Sequence, residues 1–187
     1  MIEVEVKGYA NDEVFSKVRK SFDLIRKERH EDSYFGHPCR DFASTDEALR
    51  IRIKRFDGHF EAFLTYKGPK MDDKSKTREE IEVSIEDPNG YSKILRKLGF
   101  FKVATLTKTR EVYFVEKGVT LALDDVDGLG KFVEAEALTE DASRVDETVE
   151  RLIKLLKDVG VERLERRSYL ELLMERGSSP EVSHGRD

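Results

Sequence analysis

This sequence has few of the residues that mark disulfide-bonded, zinc-binding or membrane-spanning proteins. Its 187 residues include one cysteine, Cys39, which excludes an intramolecular disulfide and zinc-finger spacing and fits a reducing cytoplasm. No apolar run approaches the roughly eighteen residues of a membrane span, and no signal peptide is present, so we expect a cytoplasmic protein. Internal repeats and low-complexity linkers are also absent, and the length suits one domain with a single core.

The sequence does not lack charge. Asp, Glu, Lys and Arg make up 39% of the residues, whereas about a quarter is usual. The two signs are too evenly mixed for a disordered chain, and they suit either a thermostable surface or an unusually charged interior. The net charge of −5 argues against a general nucleic-acid-binding protein and leaves room for a local basic cluster.

Alternation between apolar and charged residues predicts strands that each have one aliphatic face and one charged face. In the first strand, Val4 and Val6 share one face. Glu3, Glu5 and Lys7 share the other. An edge strand with a solvated face would explain one such pattern, but the pattern recurs along the chain. We predict strands at residues 2–8, 30–35, 48–54, 60–67, 77–85, 102–116, 119–125 and 131–137.

Apolar residues at helical spacing predict about four amphipathic helices. Asn11 is a good N-cap for the first helix, which we expect to close with the basic run at 26–29. Asp87 and Pro88 suit the cap and the first residue of the second. The last eleven residues have no core-forming pattern, so we predict one domain, 1–176, and a disordered tail, 177–187. The helices are predicted at 12–29, 88–98, 145–159 and 168–176.

Together these elements predict an α+β fold built on an antiparallel sheet. The helices must cover the aliphatic strand faces, because those are the only broad apolar surfaces available. Closing the sheet into an eight-stranded barrel then places the charged faces around a lumen wide enough for one small ligand. The charges on these faces are grouped by sign. The basic residues are Arg50, Arg52, Lys54, Lys67, Lys108 and Arg110, and the acidic residues are Glu3, Glu5, Asp124, Glu134 and Glu136.

A lumen of this kind requires ions or a ligand, because unpaired buried charges are costly. A cluster of Lys and Arg favours a polyanion, and a cluster of carboxylates favours Mg²⁺ or Mn²⁺. The two clusters together predict a nucleotide or polyphosphate held with a divalent metal. The sequence has no glycine-rich phosphate loop, so side chains would hold the phosphates.

The residues Glu3-Val4-Glu5-Val6-Lys7 match the Glu-x-Glu-x-Lys motif of the CYTH superfamily, the triphosphate tunnel metalloenzymes. The motif alone is weak, but later charged residues follow in that family's order, and the resemblance runs from Met1 to about Met174. Residues 32–35, 40–42, 45–50 and 127–130 look most like class IV adenylate cyclases. The resemblance implies a closed antiparallel tunnel whose members act on triphosphates with Mg²⁺ or Mn²⁺.

By position, the resemblance implies a role for each charged residue, and it leaves the oligomeric state open, a homodimer included. The implied metal ligands are Glu3, Glu5, Asp124, Glu134 and Glu136. The implied triphosphate ligands are Lys7, Arg50, Arg52, Lys67, Arg78, Lys108 and Arg110. The implied catalytic residues are Glu3, Glu5, Lys7 and Arg110. Lys54 and Glu80 fit a solvated strand end as well as a site.

Three functions are compatible with the charged residues. The resemblance favours the first, a cyclase that converts ATP to cyclic AMP and pyrophosphate. A triphosphatase would hydrolyse thiamine triphosphate, tripolyphosphate or nucleoside triphosphates on the same scaffold. A non-catalytic binding module would not need so many carboxylates. A cyclase needs a base pocket, for which Tyr34, Phe35 and Phe42 are candidates, although core packing explains them equally well. His30 and His37 lack metal-ligand spacing and are interpreted as structural or incidental.

Overall fold

The computed structural model describes residues 2–69, 79–139 and 141–177, the side chains of Ile2, Glu3 and Ala142 excepted. Within these ranges the chain forms eight strands and four α-helices, as the sequence predicts. Arg78 and the predicted tail beyond residue 177 lie outside the described residues. The strands are β1 (Ile2–Tyr9), β2 (Asp23–Gly36), β3 (Ala48–Phe56), β4 (His59–Lys67), β5 (Glu80–Ser84), β6 (Phe101–Glu116), β7 (Val119–Val126) and β8 (Gly130–Thr139). The helices are α1 (Asp12–Ser21), α2 (Pro88–Lys97), α3 (Val145–Asp158) and α4 (Tyr169–Gly177).

All eight strands form one antiparallel sheet in the order β1-β8-β7-β6-β2-β3-β4-β5. The predicted hairpin turn between β3 and β4 is confirmed, with Asp57 and Gly58 both at positive φ. Strands β1 and β5 are the two ends of the order, and no ladder joins them within the described ranges. The α+β antiparallel fold is therefore confirmed, whereas the predicted closure into a barrel is not.

The free edge of β1 is met near its end by the segment that leads from α3 to α4. The backbone N–H of Tyr9 donates to the carbonyl of Arg163 at 3.0 Å. Gly8 permits this close approach, because a Cβ atom on it would lie 2.3 Å from Cγ1 of Val161. The strand that carries the Glu-x-Glu-x-Lys motif is thus anchored on one side by β8 and on the other by this segment.

Helices α1 and α3 cover the aliphatic outer face of β1, β7 and β8, as predicted. Val4 and Leu123 of the sheet are buried in this core. Val18 of α1 and Leu152 and Leu156 of α3 complete the layer, and all three are fully buried. Full burial of one such side chain stabilises the fold by roughly 1.5–3 kcal/mol. No helix in the described part of the chain is both long and apolar enough to cross a membrane.

Helix α2 covers the outer face of β3 and β4 in the same way. Its Leu95 packs with Ile51 and Ala62, so the aliphatic face of β3 also lies beneath a helix. The predicted cap is confirmed, because the carboxylate of Asp87 accepts a hydrogen bond from the N–H of Gly90 at 2.9 Å. The apolar faces of the sheet are therefore turned toward the helices, and the charged faces are turned the other way.

Helix α4 closes one end of the charged inner face. Alternation along β6 and β8 puts Leu106 on the side of Lys108 and Phe132 on the side of Glu134. Tyr169 of α4 packs against both apolar residues, and its ring meets Phe132 edge-on at 5.0 Å. A cluster of apolar side chains thus lies directly beside the charged residues of the inner face.

The sequence predicts the end of a helix over residues 22–29, and this prediction is wrong. Helix α1 ends at Ser21 and β2 begins two residues later. Strand β6 has 16 residues, so it offers partners to the first half of β2 as well as to the second. This ladder outweighs the local helical pattern. As a result Glu28 falls in phase with His30 and joins the inner face.

Candidate active site

The charged strand faces line an open cavity of about 1400 Å³, to which apolar residues of β1 and α3, such as Val4 and Val149, also contribute. Small-molecule pockets commonly span roughly 300–1,000 Å³, so this space can hold a nucleoside triphosphate with metal ions. Asp124 is fully buried and does not reach the wall. The predicted site residues found on the cavity wall are Glu5, Lys7, Arg50, Arg52, Lys67, Lys108, Arg110, Glu134 and Glu136.

Three carboxylates meet where β1 pairs with β8. The register places Glu5 opposite Glu136 and Lys7 opposite Glu134. One oxygen of each of the three glutamates lies within 4.8 Å of the other two, and no other group of this kind occurs among the described side chains. Carboxylate oxygens are the ligands that Mg²⁺ and Mn²⁺ prefer. The donor set therefore fits the divalent metal that the sequence predicts.

Arg110 joins the acidic strands to the basic ones. Its guanidinium donates two hydrogen bonds to Asp124, at 2.7 and 2.6 Å. It also donates to Glu136 at 3.2 Å and to Glu134. Burial opposes the charge on Glu134, but Arg110 outweighs it and lowers the pKa of Glu134 to about 2. Two of the three clustered carboxylates are thus oriented by one arginine, which also keeps Glu134 ionised.

Asp124 is a buried carboxylate that holds Lys108 and Arg110 in place. Besides Arg110, it accepts hydrogen bonds from Lys108 at 2.7 Å and from the hydroxyl of Tyr169 at 2.9 Å. Burial disfavours its charge, but Arg110 and Lys108 outweigh this and hold the pKa of Asp124 well below its usual range. Asp124 would have to release these donors before it could bind an ion directly. Its described contacts orient the cations.

The sequence analysis does not select Asp32, although this residue organises the basic wall. The carboxylate of Asp32 accepts two hydrogen bonds from Arg52, at 2.7 and 2.6 Å, and lies 3.7 Å from Arg50. Burial disfavours its charge, but Arg52 and then Arg50 hold the pKa of Asp32 well below its usual range. The available signal was the alternation of His30, Asp32 and Tyr34 along β2.

Arg50 has close polar partners on one guanidinium nitrogen, Nη2, whereas another nitrogen, Nε, has an N–H that no described residue accepts. Its Nη2 donates to the hydroxyl of Thr65 at 3.3 Å and lies 3.7 Å from a carboxylate oxygen of Glu82. Its Nε is buried and has no hydrogen-bond partner in the described part of the chain. Farther out, Lys67 donates to Glu80 at 2.9 Å, in a partly exposed pair. The basic wall therefore runs from a buried centre to a wetter rim.

His30 lies buried in the middle of the basic wall, a position that fits its interpretation as structural and not as incidental. The register places it between Lys54 on β3 and Lys108 on β6. Its side chain is 2% exposed, and its Nε2 lies 2.7 Å from a carboxylate oxygen of Glu28. Its Nδ1 is buried without a hydrogen-bond partner among the described residues. Sequence spacing for metal ligands could not reveal a histidine whose partner is a carboxylate.

The three aromatic candidates for a base pocket have different places. Phe35 is 2% exposed and packs beside Ile51, which fits the core-packing alternative, and it also borders the cavity. Tyr34 is buried at the cavity wall. Phe42 is partly exposed in the loop at the cavity mouth, with the guanidinium of Arg40 at 5.6 Å from its ring centre. Of the three, Phe42 has the most accessible ring.

Comparison with known proteins identifies a family and several relatives that this chain resembles. A model of the CYTH domain family matches residues 1–169. MJ0240 of Methanocaldococcus jannaschii, provisionally named an adenylate cyclase, is 46% identical over 177 residues, which cover 92% of this chain and 98% of that protein. The adenylate cyclase CyaB of Aeromonas hydrophila is 30% identical over 151 residues, covering 80% and 74%. The solved structure of the PH1819 protein from Pyrococcus horikoshii has a TM-score of 0.89 and 63% identity, covering 93% and 99%.

Proposed function

The chain belongs to the CYTH domain family, and we propose that it is a divalent-metal-dependent adenylate cyclase that converts ATP to cyclic AMP and pyrophosphate. One observation carries the proposal: a cluster of three carboxylates faces the same cavity as a wall of lysine and arginine. A metal-bound polyphosphate is the ligand that satisfies both. The names of two relatives favour cyclisation over other reactions of a triphosphate.

The basic wall would hold the triphosphate. Guanidinium groups make paired, charge-assisted hydrogen bonds to phosphate oxygens, about twice as strong as neutral ones. Asp32 and Asp124 fix these cations before the substrate arrives, so little reorganisation is needed when charge moves onto the leaving group. The proposed triphosphate ligands are Lys7, Arg50, Arg52, Lys67, Arg78, Lys108 and Arg110.

Glu5, Glu134 and Glu136 would hold the divalent ion, with Glu3 as a further ligand by its place in the motif. When bound, such an ion polarises a phosphoryl oxygen and makes a nearby hydroxyl more acidic. Arg110 orients two of these carboxylates, Glu134 and Glu136, and keeps Glu134 ionised. Asp124 has weaker support as a metal ligand than Glu5, because its carboxylate already accepts hydrogen bonds from Lys108, Arg110 and Tyr169.

Cyclisation requires the ribose 3′-oxygen to lie in line with the α-phosphorus, and such positioning is worth roughly 7–11 kcal/mol of the barrier. The triphosphate would be fixed by the basic wall, so the nucleoside must be held nearer the mouth. Phe42 is the proposed stacking partner for the base, because its ring is partly exposed there.

A triphosphatase is the second candidate. The burial of Phe35 in the core leaves the base pocket with fewer aromatic residues than the sequence predicts. Hydrolysis needs only the triphosphate and a water, and so it does not require that pocket. A non-catalytic binding module has less support, since a protein that only binds anions has no use for three clustered carboxylates.

Product analysis tests the proposal. ATP, GTP, thiamine triphosphate and tripolyphosphate should each be incubated with Mg²⁺ or Mn²⁺, with chelator as the control. We expect ATP to yield cyclic AMP and pyrophosphate and tripolyphosphate to be nearly untouched. Inorganic phosphate as the main product, without cyclic nucleotide, would replace the cyclase by the triphosphatase. No turnover of any of the four would contradict an enzymatic function.

A further inference from the structure

The hydrogen bonding of Glu28 fixes the tautomer of His30. One oxygen of Glu28 accepts from Nε of Arg26 at 2.7 Å, and the other lies 2.7 Å from Nε2 of His30. Burial disfavours the charge of Glu28, but His30 and Arg26 lower its pKa to about 2. An ionised carboxylate only accepts hydrogen bonds. The proton of a neutral His30 therefore lies on Nε2, and Nδ1 presents a lone pair.

Two buried side-chain atoms lack a hydrogen-bond partner in the described part of the chain, and both belong to residues of the cavity wall. One is Nε of Arg50, a donor, which suits a phosphate oxygen. The other is Nδ1 of His30, an acceptor, which an unprotonated phosphate oxygen cannot satisfy. A hydroxyl group or a water can, because each has an O–H to donate. Buried polar groups without partners are rare and costly, so each points to a group that arrives with the substrate.

The surroundings of His30 keep it neutral until an anion is present. The pKa of His30 is lowered to about 4: burial is the largest cause, the bond to Glu28 opposes it, and Arg52, Lys108 and Arg110 add to the lowering. A triphosphate bound to the same cations would offset their charge and raise the pKa of His30 again. The charged groups around His30 are Arg52 and Lys54 on β3, Lys108 and Arg110 on β6, and Glu28 and Asp32 on its own strand.

We propose that Nδ1 of His30 accepts the proton of the attacking hydroxyl and that Glu28 is the positioning residue that holds the imidazole. This inference rests on the proposed function. In the step, the O–H bond breaks and an Nδ1–H bond forms, while the oxygen bonds to phosphorus. The bond from phosphorus to the leaving pyrophosphate oxygen breaks with its electron pair, and the imidazolium afterwards returns its proton to solvent. In hydrolysis the attacking oxygen would be that of water, with the same proton acceptor.

The test compares His30→Asn, Glu28→Gln and the wild type with ATP and the preferred metal ion across pH. We expect His30→Asn to lower kcat by about 10²–10⁴-fold, the usual contribution of a general base, with KM and the metal requirement unchanged. The plot of wild-type kcat against pH should have an acid limb, a fall in kcat at low pH as the imidazole becomes protonated. His30→Asn should remove this limb. The exposed His59 provides the matched control, and His59→Asn should behave as the wild type.

Glu28→Gln keeps an acceptor for Nε2 but loses the charge that raises the pKa of His30. The acid limb should therefore move to lower pH, an effect that a merely structural role would not produce, and this readout remains if His30→Asn fails to fold. Retention of the wild-type kcat and acid limb in His30→Asn, or an unmoved limb in Glu28→Gln, would overturn the inference and leave the proposed function standing. A wild type without turnover of any triphosphate would overturn both.

Discussion

Replacing Glu5 and Glu136 together by glutamine is expected to lower metal-dependent turnover by about 10⁴-fold or more. The two residues face each other across β1 and β8 and belong to the carboxylate cluster. A bound ion contributes several kcal/mol to the stabilisation of a phosphoryl transition state, and each 1.36 kcal/mol corresponds to about tenfold in rate. Turnover of ATP at saturating Mg²⁺ and Mn²⁺ provides the measurement.

The same double variant should remain folded, because it removes two like charges and leaves Arg110 paired with Asp124 and Glu134. Glu86 and Glu162 are exposed outside the cavity, and their double replacement by glutamine is the matched control. Its rate should equal that of the wild type. If the Glu5 and Glu136 variant kept wild-type activity at saturating metal, these carboxylates would not be the ligands.

Arg110→Met should lower the free energy of unfolding at pH 7 by roughly 3–5 kcal/mol, the usual cost of removing one partner of a buried ion pair. The methionine is apolar and leaves Asp124, which is 0% exposed, with Lys108 as its remaining cation. Urea unfolding measures the change. Arg144→Met is the control, since Arg144 pairs with Glu147 at the surface, where such a pair contributes roughly 0–1 kcal/mol.

Adding Asp124→Asn to Arg110→Met should recover part of the lost stability, because the uncompensated charge is gone. The effect should also depend on pH. Since the pKa of Asp124 is lowered in the folded protein, the stabilisation is fully present above the unfolded pKa of about 4 and is lost as pH falls below it. The gap between wild type and Arg110→Met should therefore narrow in acid. Equal stability of the two proteins at pH 7 would contradict a structural role for this network.

The sequence predicts the strand faces well because burial depends on alternation, which a single strand displays. Val4 lies under the helices and Lys7 lines the cavity, as expected. The grouping of charge by sign also predicts the two clusters, since the acidic residues Glu5 and Glu136 face each other across β1 and β8. Arg110 and Asp124 face each other across β6 and β7, where a basic strand pairs with an acidic one.

Three features could not be predicted, because each depends on contacts between distant parts of the chain. The start of β2 is set by the length of β6, not by the helical spacing of residues 22–29. The segment that meets the edge of β1 at Gly8 comes from the other end of the sequence. The partner of His30 is Glu28, which lies in the part of β2 that the sequence assigns to a helix.

A crystal structure with Mn²⁺ and a non-hydrolysable ATP analogue tests the central claim most directly. The account predicts anomalous density for manganese among Glu5, Glu134 and Glu136, with the triphosphate bound along Arg50, Arg52 and the neighbouring cations inside the cavity. Manganese and nucleotide bound elsewhere on the protein, with no manganese among these three glutamates, would contradict it.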